Sequence, residues 1–253
     1  TSKEGYAIVV GAWLMSCLAG MLPYVLWGGE FSVSDAWFEA VSGFTTTGST
    51  SLSNVEALPR GLLMWRSLTH WLGGLGIIVL TLVVLPLLGV GGMQLYRAEA
   101  SGPHPGKLTP RMRDTALALW KIYLLLTALE TALLMAAGMD WFDALNHAFS
   151  TLATGGFSTR NASIAAYPGA AIQWIIIVFM FLAGMRFSLH YAFLKGDLRA
   201  YGGSTENLAY AGMLLICTVI VSALLALRGT FPLESLADME RIVRASAFQL
   251  VSL

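Results

Sequence analysis

The sequence predicts an all-α membrane protein built from pore-loop repeats: a crossing helix, a short re-entrant helix, a filter segment and a second crossing helix. Three observations predict it. Of the 253 residues 56% are hydrophobic and 12% charged, and the mean hydropathy is +0.68, far to the apolar side of soluble domains. The apolar residues gather in runs long enough to span about 30 Å of hydrocarbon as helices. The third observation is internal repetition, which decides what architecture is being read. DAWFEAVSGFTTTGSTS, Asp35 to Ser51, recurs without a gap as DALNHAFSTLATGGFST, Asp143 to Thr159. The copies share Asp35/Asp143, Ala36/Ala144, Ala40/Ala148, Ser42/Ser150, Thr46/Thr154 and Gly48/Gly156, where ordinary composition gives about one chance identity.

Taken in order, Tyr6 to Trp27 is the first crossing, with Pro23 near its far end. Ser32 to Phe44 has a helical, amphipathic pattern but falls far short of the roughly 20 residues a crossing needs, so it reads as re-entrant. Leu62 to Tyr96 is the second crossing, interrupted by Gly73, Gly74 and Gly76, which remove bulk where helices approach closely. The polar, basic RAEASGPHPGKLTPRMRD that follows reads as a loop in water. The second unit repeats the order: Thr115 to Gly138 is the third crossing, Asp143 to Ala153 the second short helix, Gly169 to Leu194 the fourth crossing. After a polar connection, Lys195 to Thr205, a fifth crossing runs from Glu206 to Leu227. Phe248, Val251 and Ser252 then match Phe38, Val41 and Ser42, so Arg241 to Leu253 resembles a third short helix halted before its filter. The organisation expected is one membrane domain over 1–253. It divides into a first pore-loop repeat (5–96), a cytoplasmic loop (97–114), a second repeat (115–195) and a partial third (206–253).

Arg97, Lys107, Arg111 and Arg113 in one connection, and Lys195 and Arg199 in the next, make that side cytoplasmic by the positive-inside rule. The short helices then enter from outside. There Glu30, Asp35, Glu39, Glu56, Asp140, Asp143, Glu234, Asp238 and Glu240 outnumber Arg60, Arg160, Arg228, Arg241 and Arg244, and the summed bias describes a vestibule that concentrates cations. A formal net charge of zero supplies no basic field for nucleic acid. Cys17 and Cys217 sit in apolar runs and read as packing residues, and His70, His147 and His190 lack metal-ligand spacing and read as satisfied hydrogen-bonding groups.

Thr45-Thr46-Thr47-Gly48-Ser49 and Ala153-Thr154-Gly155-Gly156-Phe157 carry the chemistry. Alone, such a cluster is turn punctuation. Here it recurs in register, behind a short apolar helix and between two crossings. Non-helical backbone at membrane depth is tolerated where it lines a water-filled path or is buried in protein. Glycine can take φ > 0, letting successive carbonyls point one way, and rings of such oxygens replace the hydration shell of a monovalent cation. The carbonyl end of each short helix adds partial negative charge. Among ionisable groups inside crossings, Lys121 reads as snorkelling. Arg186 leaves two readings open, tuning the pore electrostatically or reaching a headgroup. Glu130 lies nearer the outer half, too far along the normal to pair with Arg186.

SGFTTTGST, WRSLTHWLGGLGIIVL, LPLLGVGGMQLYRAE, LTPRMRDTALALWKIY, LNHAFSTLATGGFST and LHY resemble the TrkH/TrkG/KtrB superfamily of bacterial potassium transporters, its TrkH branch most closely, over nearly the whole chain. The resemblance implies four such units around one pore, an inner-membrane homodimer embedded in lipid, and a cytosolic nucleotide-binding regulatory subunit of the TrkA kind. Potassium is implied as the substrate, with no organic cofactor. By the same resemblance the potassium-coordinating positions fall on Thr46, Thr47, Thr154 and Gly155, with Gly48 and Gly156 as filter glycines. The expectation is an ion-conducting subunit of a potassium uptake system, not an enzyme. The alternatives are a non-conducting structural or assembly fragment, and a membrane-embedded enzyme, against which no paired acid and base recurs with the repeats. Two Thr-x-Gly segments supply about half of a four-segment ring, so the chain is further expected to be a fragment that does not form a selective pore by itself.

Overall fold

The computed structural model describes residues 2–29, 31–79, 112–197, 199–228 and 235–253. Among them every regular element is helical. The basic loop 97–114 lies outside them up to residue 111, as does the second crossing beyond Val79.

Helices α1 (Ser2–Gly20) and α2 (Leu22–Trp27) form one crossing interrupted at Met21. Pro23 has no N–H to offer the carbonyl one turn back, so the helix restarts with proline in its first turn. Helix α3 (Val33–Phe44) is opened by a capping box between Ser32 and Asp35. Helix α4 (Arg60–Val79) follows after a single 3-10 turn, Val55–Ala57. The second unit brings α5 (Met112–Ala136), α6 (Trp141–Leu152), capped by the Asp140 side chain, a 3-10 turn at Ser163–Ala166, α7 (Ala170–Ala183) and α8 (Phe187–Leu194). The short α9 (Ala200–Gly203) leads into α10 (Thr205–Leu227), and a Ser235/Asp238 capping box opens α11 (Leu236–Ser252).

Val9–Trp27, Leu117–Ala136 and Thr205–Leu227 are each long and apolar enough to cross a membrane. Leu215, Ile216, Val219 and Ile220 on α10 are more than half exposed, an apolar patch of the kind that marks an interaction surface. The fourth crossing is not the single helix expected from Gly169 to Leu194. It breaks at Gly184–Arg186, and α7 and α8 meet at 98°. A Cβ at Gly184 would stand 2.6 Å from the Tyr210 hydroxyl of α10, so the chain turns where it meets that ring. His190 repairs the break: its Nε2–H donates to the Leu182 carbonyl at 3.0 Å, the oxygen a continuous helix would give to residue 186. Its Nδ1 accepts from the Tyr201 hydroxyl at 2.7 Å.

Helix α4 positions everything else. It packs on α3 in its own unit and on α6 in the next, and α7 packs on α11 in the same way. The second crossing of each unit thus supports the short helix of the unit after it. Gly73 abuts the Phe44 carbonyl at the end of α3, and a Cβ on Gly74 would lie 3.0 Å from the Ala153 Cα at the end of α6. The matched alanines Ala36, Ala40, Ala144 and Ala148 are wholly buried, because only small residues allow backbones this close.

Candidate functional site

The two short helices end alike. Thr46 N–H donates to Gly43 O (3.1 Å) and Thr47 N–H to Ser42 O (3.0 Å), and Thr154 N–H donates to Thr151 O (2.9 Å) and Gly155 N–H to Ser150 O (2.8 Å). This is the Schellman pattern, whose pivot is a left-handed residue, usually glycine. Here the pivot is threonine: φ is +55° at Thr46 and +54° at Thr154. A β-branched residue in this region is an outlier that costs about 1–2 kcal/mol, and it occurs at the same position of both units. Two residues on, Gly48 (φ +76°) and Gly156 (φ +105°) are left-handed again.

The segments touch. A Cβ on Gly48 would run into the Gly155 carbonyl, with the Gly156 Cα 3.5 Å away. Gly156 has open space at its own Cβ position. Thr154, Gly155 and Gly156 line a cavity of about 600 Å³ whose far wall is Phe248 and Leu250–Leu253 of the third unit. Gly48 is therefore brought against Gly155 and Gly156, whereas Thr46, Thr47 and Gly48 do not line the cavity. Arg186 does not line that cavity; it stands at the α7–α8 corner in an ion pair with Glu206 of α10.

Serine braces each segment from behind. The Ser42 hydroxyl donates to Ser49 O at 2.6 Å, and the Ser150 oxygen accepts Gly156 N–H at 2.9 Å. Ser150 also meets His70 Nδ1 at 3.1 Å, and the His70 ring stacks on Phe157 at 4.0 Å. That ring fills the place where a Gly155 side chain would be. In the first unit the equivalent residue is Thr47, whose hydroxyl bonds that of Thr45 at 2.8 Å.

A second layer holds the strands that leave the segments. Glu39 accepts from the Thr50 hydroxyl and from Ser51 N–H (2.9 Å), and Arg66 Nε donates to its other oxygen at 3.1 Å. In the second unit His147 stands where Glu39 does: Nδ1–H donates to Asp143 O (2.7 Å) and Nε2 accepts from Ser158 (3.0 Å). Asp143 accepts from Thr159, Arg160 and Tyr167 at 2.7, 3.0 and 2.7 Å. Asn161 joins the loops that follow the two segments, accepting Val55 N–H at 2.7 Å and donating to Glu56 and Asn54. Three of the acids expected to face a vestibule, Glu39, Asp143 and Glu240, are instead paired with Arg66, Arg160 and Arg244. A carboxylate packed among donors is satisfied by the nearest of them before it serves a distant field.

Sequence reasoning counted Ser42 and Ser150 only as matches of the repeat, and it missed Arg66. The signal was present: Arg66, Thr69, His70, Gly73 and Gly74 fall at i, i+3, i+4, i+7 and i+8, one helical face made of polar and small residues inside an apolar run.

The cation transport protein family TrkH matches residues 1–206, well over half of the chain. The chain belongs to the TrkH family. Within it, the Trk system potassium uptake protein TrkH of Escherichia coli K12 is 43% identical over 87% of this chain and 47% of its own length. The protein of that name from Halomonas elongata is also 43% identical, over all of this chain and 52% of its own length. The crystal structure of the potassium transporter TrkH from Vibrio parahaemolyticus superposes with a TM-score of 0.84 at 36% identity, covering all of this chain and 50% of that one. The chain thus spans about half the length of these TrkH relatives. Its helical membrane architecture is that of the family, and the family is one of transporters rather than enzymes.

Proposed function

We propose that this chain forms part of the ion-conducting membrane subunit of a bacterial potassium uptake system, in which potassium passes a filter of backbone carbonyls from the Thr-x-Gly segments. One observation carries the reading. Two segments in separate units repeat the same left-handed threonine and left-handed glycine, and they pack against each other in a chain whose relatives are named potassium uptake proteins.

Alternating left-handed residues turn successive carbonyls to one side, and strain maintained at matched positions is the mark of a functional constraint. In the proposed filter Thr46 and Thr47, with Gly48, and Thr154 and Gly155, with Gly156, supply oxygens that replace part of the ion's hydration shell. The remaining oxygens come from further segments around the same axis. Helices α3 and α6 are re-entrant from outside, their carbonyl ends aimed at the membrane interior. The repeat boundaries are 5–96, 115–195 and 206–253, with the basic segment 97–114 on the cytoplasmic side. The working protein is a multi-pass homodimer in the bacterial inner membrane, in contact with lipid and with a TrkA-like cytosolic subunit. Arg186, in an ion pair with Glu206 at the α7–α8 corner, is the residue proposed to tune the pore electrostatically.

The test is rubidium and sodium uptake by a protein carrying this chain, in cells lacking other potassium uptake. Gly48→Ser and Gly156→Ser should each cut rubidium over sodium discrimination by about tenfold at unchanged expression. Unaltered discrimination in both would remove the filter assignment.

A further inference from the structure

We infer that Arg66 is a positioning residue that sets the spacing between the two filter segments, and that its pairing with Glu39 keeps the seam between them electrically neutral. This rests on the filter reading above and adds to it a residue outside the segments.

The pair is buried, with the side chains 2% and 0% exposed. Each partner holds a different strand. Glu39 grips Thr50 and Ser51, which follow the first filter glycine. The guanidinium reaches the other way: its Cζ lies 4.0 Å over the Phe157 ring, and Nη1 is 3.4 Å from Ser158 O, both following the second filter glycine. The four-residue bridge Ser51–Glu39–Arg66–Ser158 therefore runs from one exit strand to the other through side chains of α3 and α4.

The repeat itself does not require an ion pair there. At the position matched to Glu39 stands His147, and the helix that follows it, α7, carries Trp174. His147 holds its own exit strand through a neutral bond to Ser158, and the Trp174 indole turns to Glu240 of α11 at 2.7 Å. Among the described residues, the Glu39–Arg66 pair is the one that touches the segments leaving both Thr/Gly turns. Arginine suits that task because its planar fork can donate along one edge while its face lies on a ring, which a lysine ammonium cannot do. An unpaired buried cation at the same place would repel an arriving cation through a medium that screens poorly, and Glu39 cancels it.

Rubidium uptake and rubidium over sodium discrimination separate the two roles, with expression and detergent monodispersity checked for every variant. Glu39→Gln, which leaves Arg66 charged and alone, should raise the KM for rubidium by about tenfold or more. The double variant Glu39→Gln/Arg66→Gln should recover KM to within about threefold of the parent, while discrimination stays reduced. Arg66→Lys preserves the charge and should lower discrimination with little change in KM. A double variant as poor in KM as Glu39→Gln overturns the neutrality claim, and undiminished discrimination in well-folded Arg66→Lys overturns the positioning claim. Gly48→Ser run in parallel tells the two readings apart. If it alters discrimination and the Arg66 variants do not, the filter stands and this inference falls. If it alters nothing, the filter reading itself has failed.

Discussion

At the scale of single residues, the three glycines of the two Thr/Gly segments are glycine for different reasons. Gly48 and Gly156 need left-handed backbone, and Gly48 also needs room beside the Gly155 carbonyl. The first need follows from the repeat and was legible in it; the second comes from the meeting of the two segments and was not. Gly155 has no left-handed φ, and its mismatch with Thr47 looks like drift in the sequence. The structure explains it: the His70 ring occupies the site, locked by Ser150 on one side and Phe157 on the other. Gly155→Ala should therefore destabilise by about 1–3 kcal/mol through overpacking. Adding His70→Ala should cost less than the sum of the two single changes, by about 1 kcal/mol or more, as neighbours that share space do. Thermal unfolding of the four proteins in detergent measures this, and strict additivity would mean that the ring does not dictate the glycine.

At the scale of elements, the two short helices share their C-terminal device and differ at their start. The Schellman closures match bond for bond, whereas a Ser32/Asp35 box opens one and Asp140 the other. Asp143, matched to Asp35 in the repeat, gains partners that Asp35 lacks because the loop at Arg160 and Tyr167 folds back over α6. Burial pushes its carboxyl up, but hydrogen bonds from Tyr167, Thr159 and Arg160 and the Arg160 charge outweigh that and hold it below the usual carboxylate range. A depressed folded value contributes stability above the unfolded value and loses it as pH falls through the folded one. Thermal stability should be flat from neutral pH to about 5 and decline below about 4. Asp143→Asn should be less stable at neutral pH and show a shallower acid decline; identical acid declines would show that the loop closure does not depend on this charge. The 98° break between α7 and α8 belongs to this scale too. No proline announces it, and Gly184 alone is a weak signal. The break depends on Tyr210 arriving from α10 and on His190 reaching back to Leu182.

At the scale of the molecule, each unit leans on the next, and α4 carries the join between the first two. The topology that follows from the basic loops is open to direct test. Cysteines at the exposed positions Ser53 and Ala165, in the loops after each filter segment, should react with an impermeant thiol reagent from outside, and one at Lys195 only from the cytoplasm. The reverse labelling would turn the protein over and put the Thr-x-Gly segments at the inner mouth. By itself the sequence determined the membrane class, the duplicated unit and the short helices, and it supplied the six residues proposed for the filter. Hydropathy, repeat spacing and the special backbone of glycine are all written locally along the chain. Only the tertiary structure decided that the two segments abut, that His70 stands in for a side chain at position 155, and that Arg66 and Glu39 bridge the strands beyond. It also decided that the fourth crossing breaks. Those features depend on groups tens of residues apart meeting in a packed interior, where the partner that satisfies a buried donor is chosen by proximity in space, which no local pattern encodes.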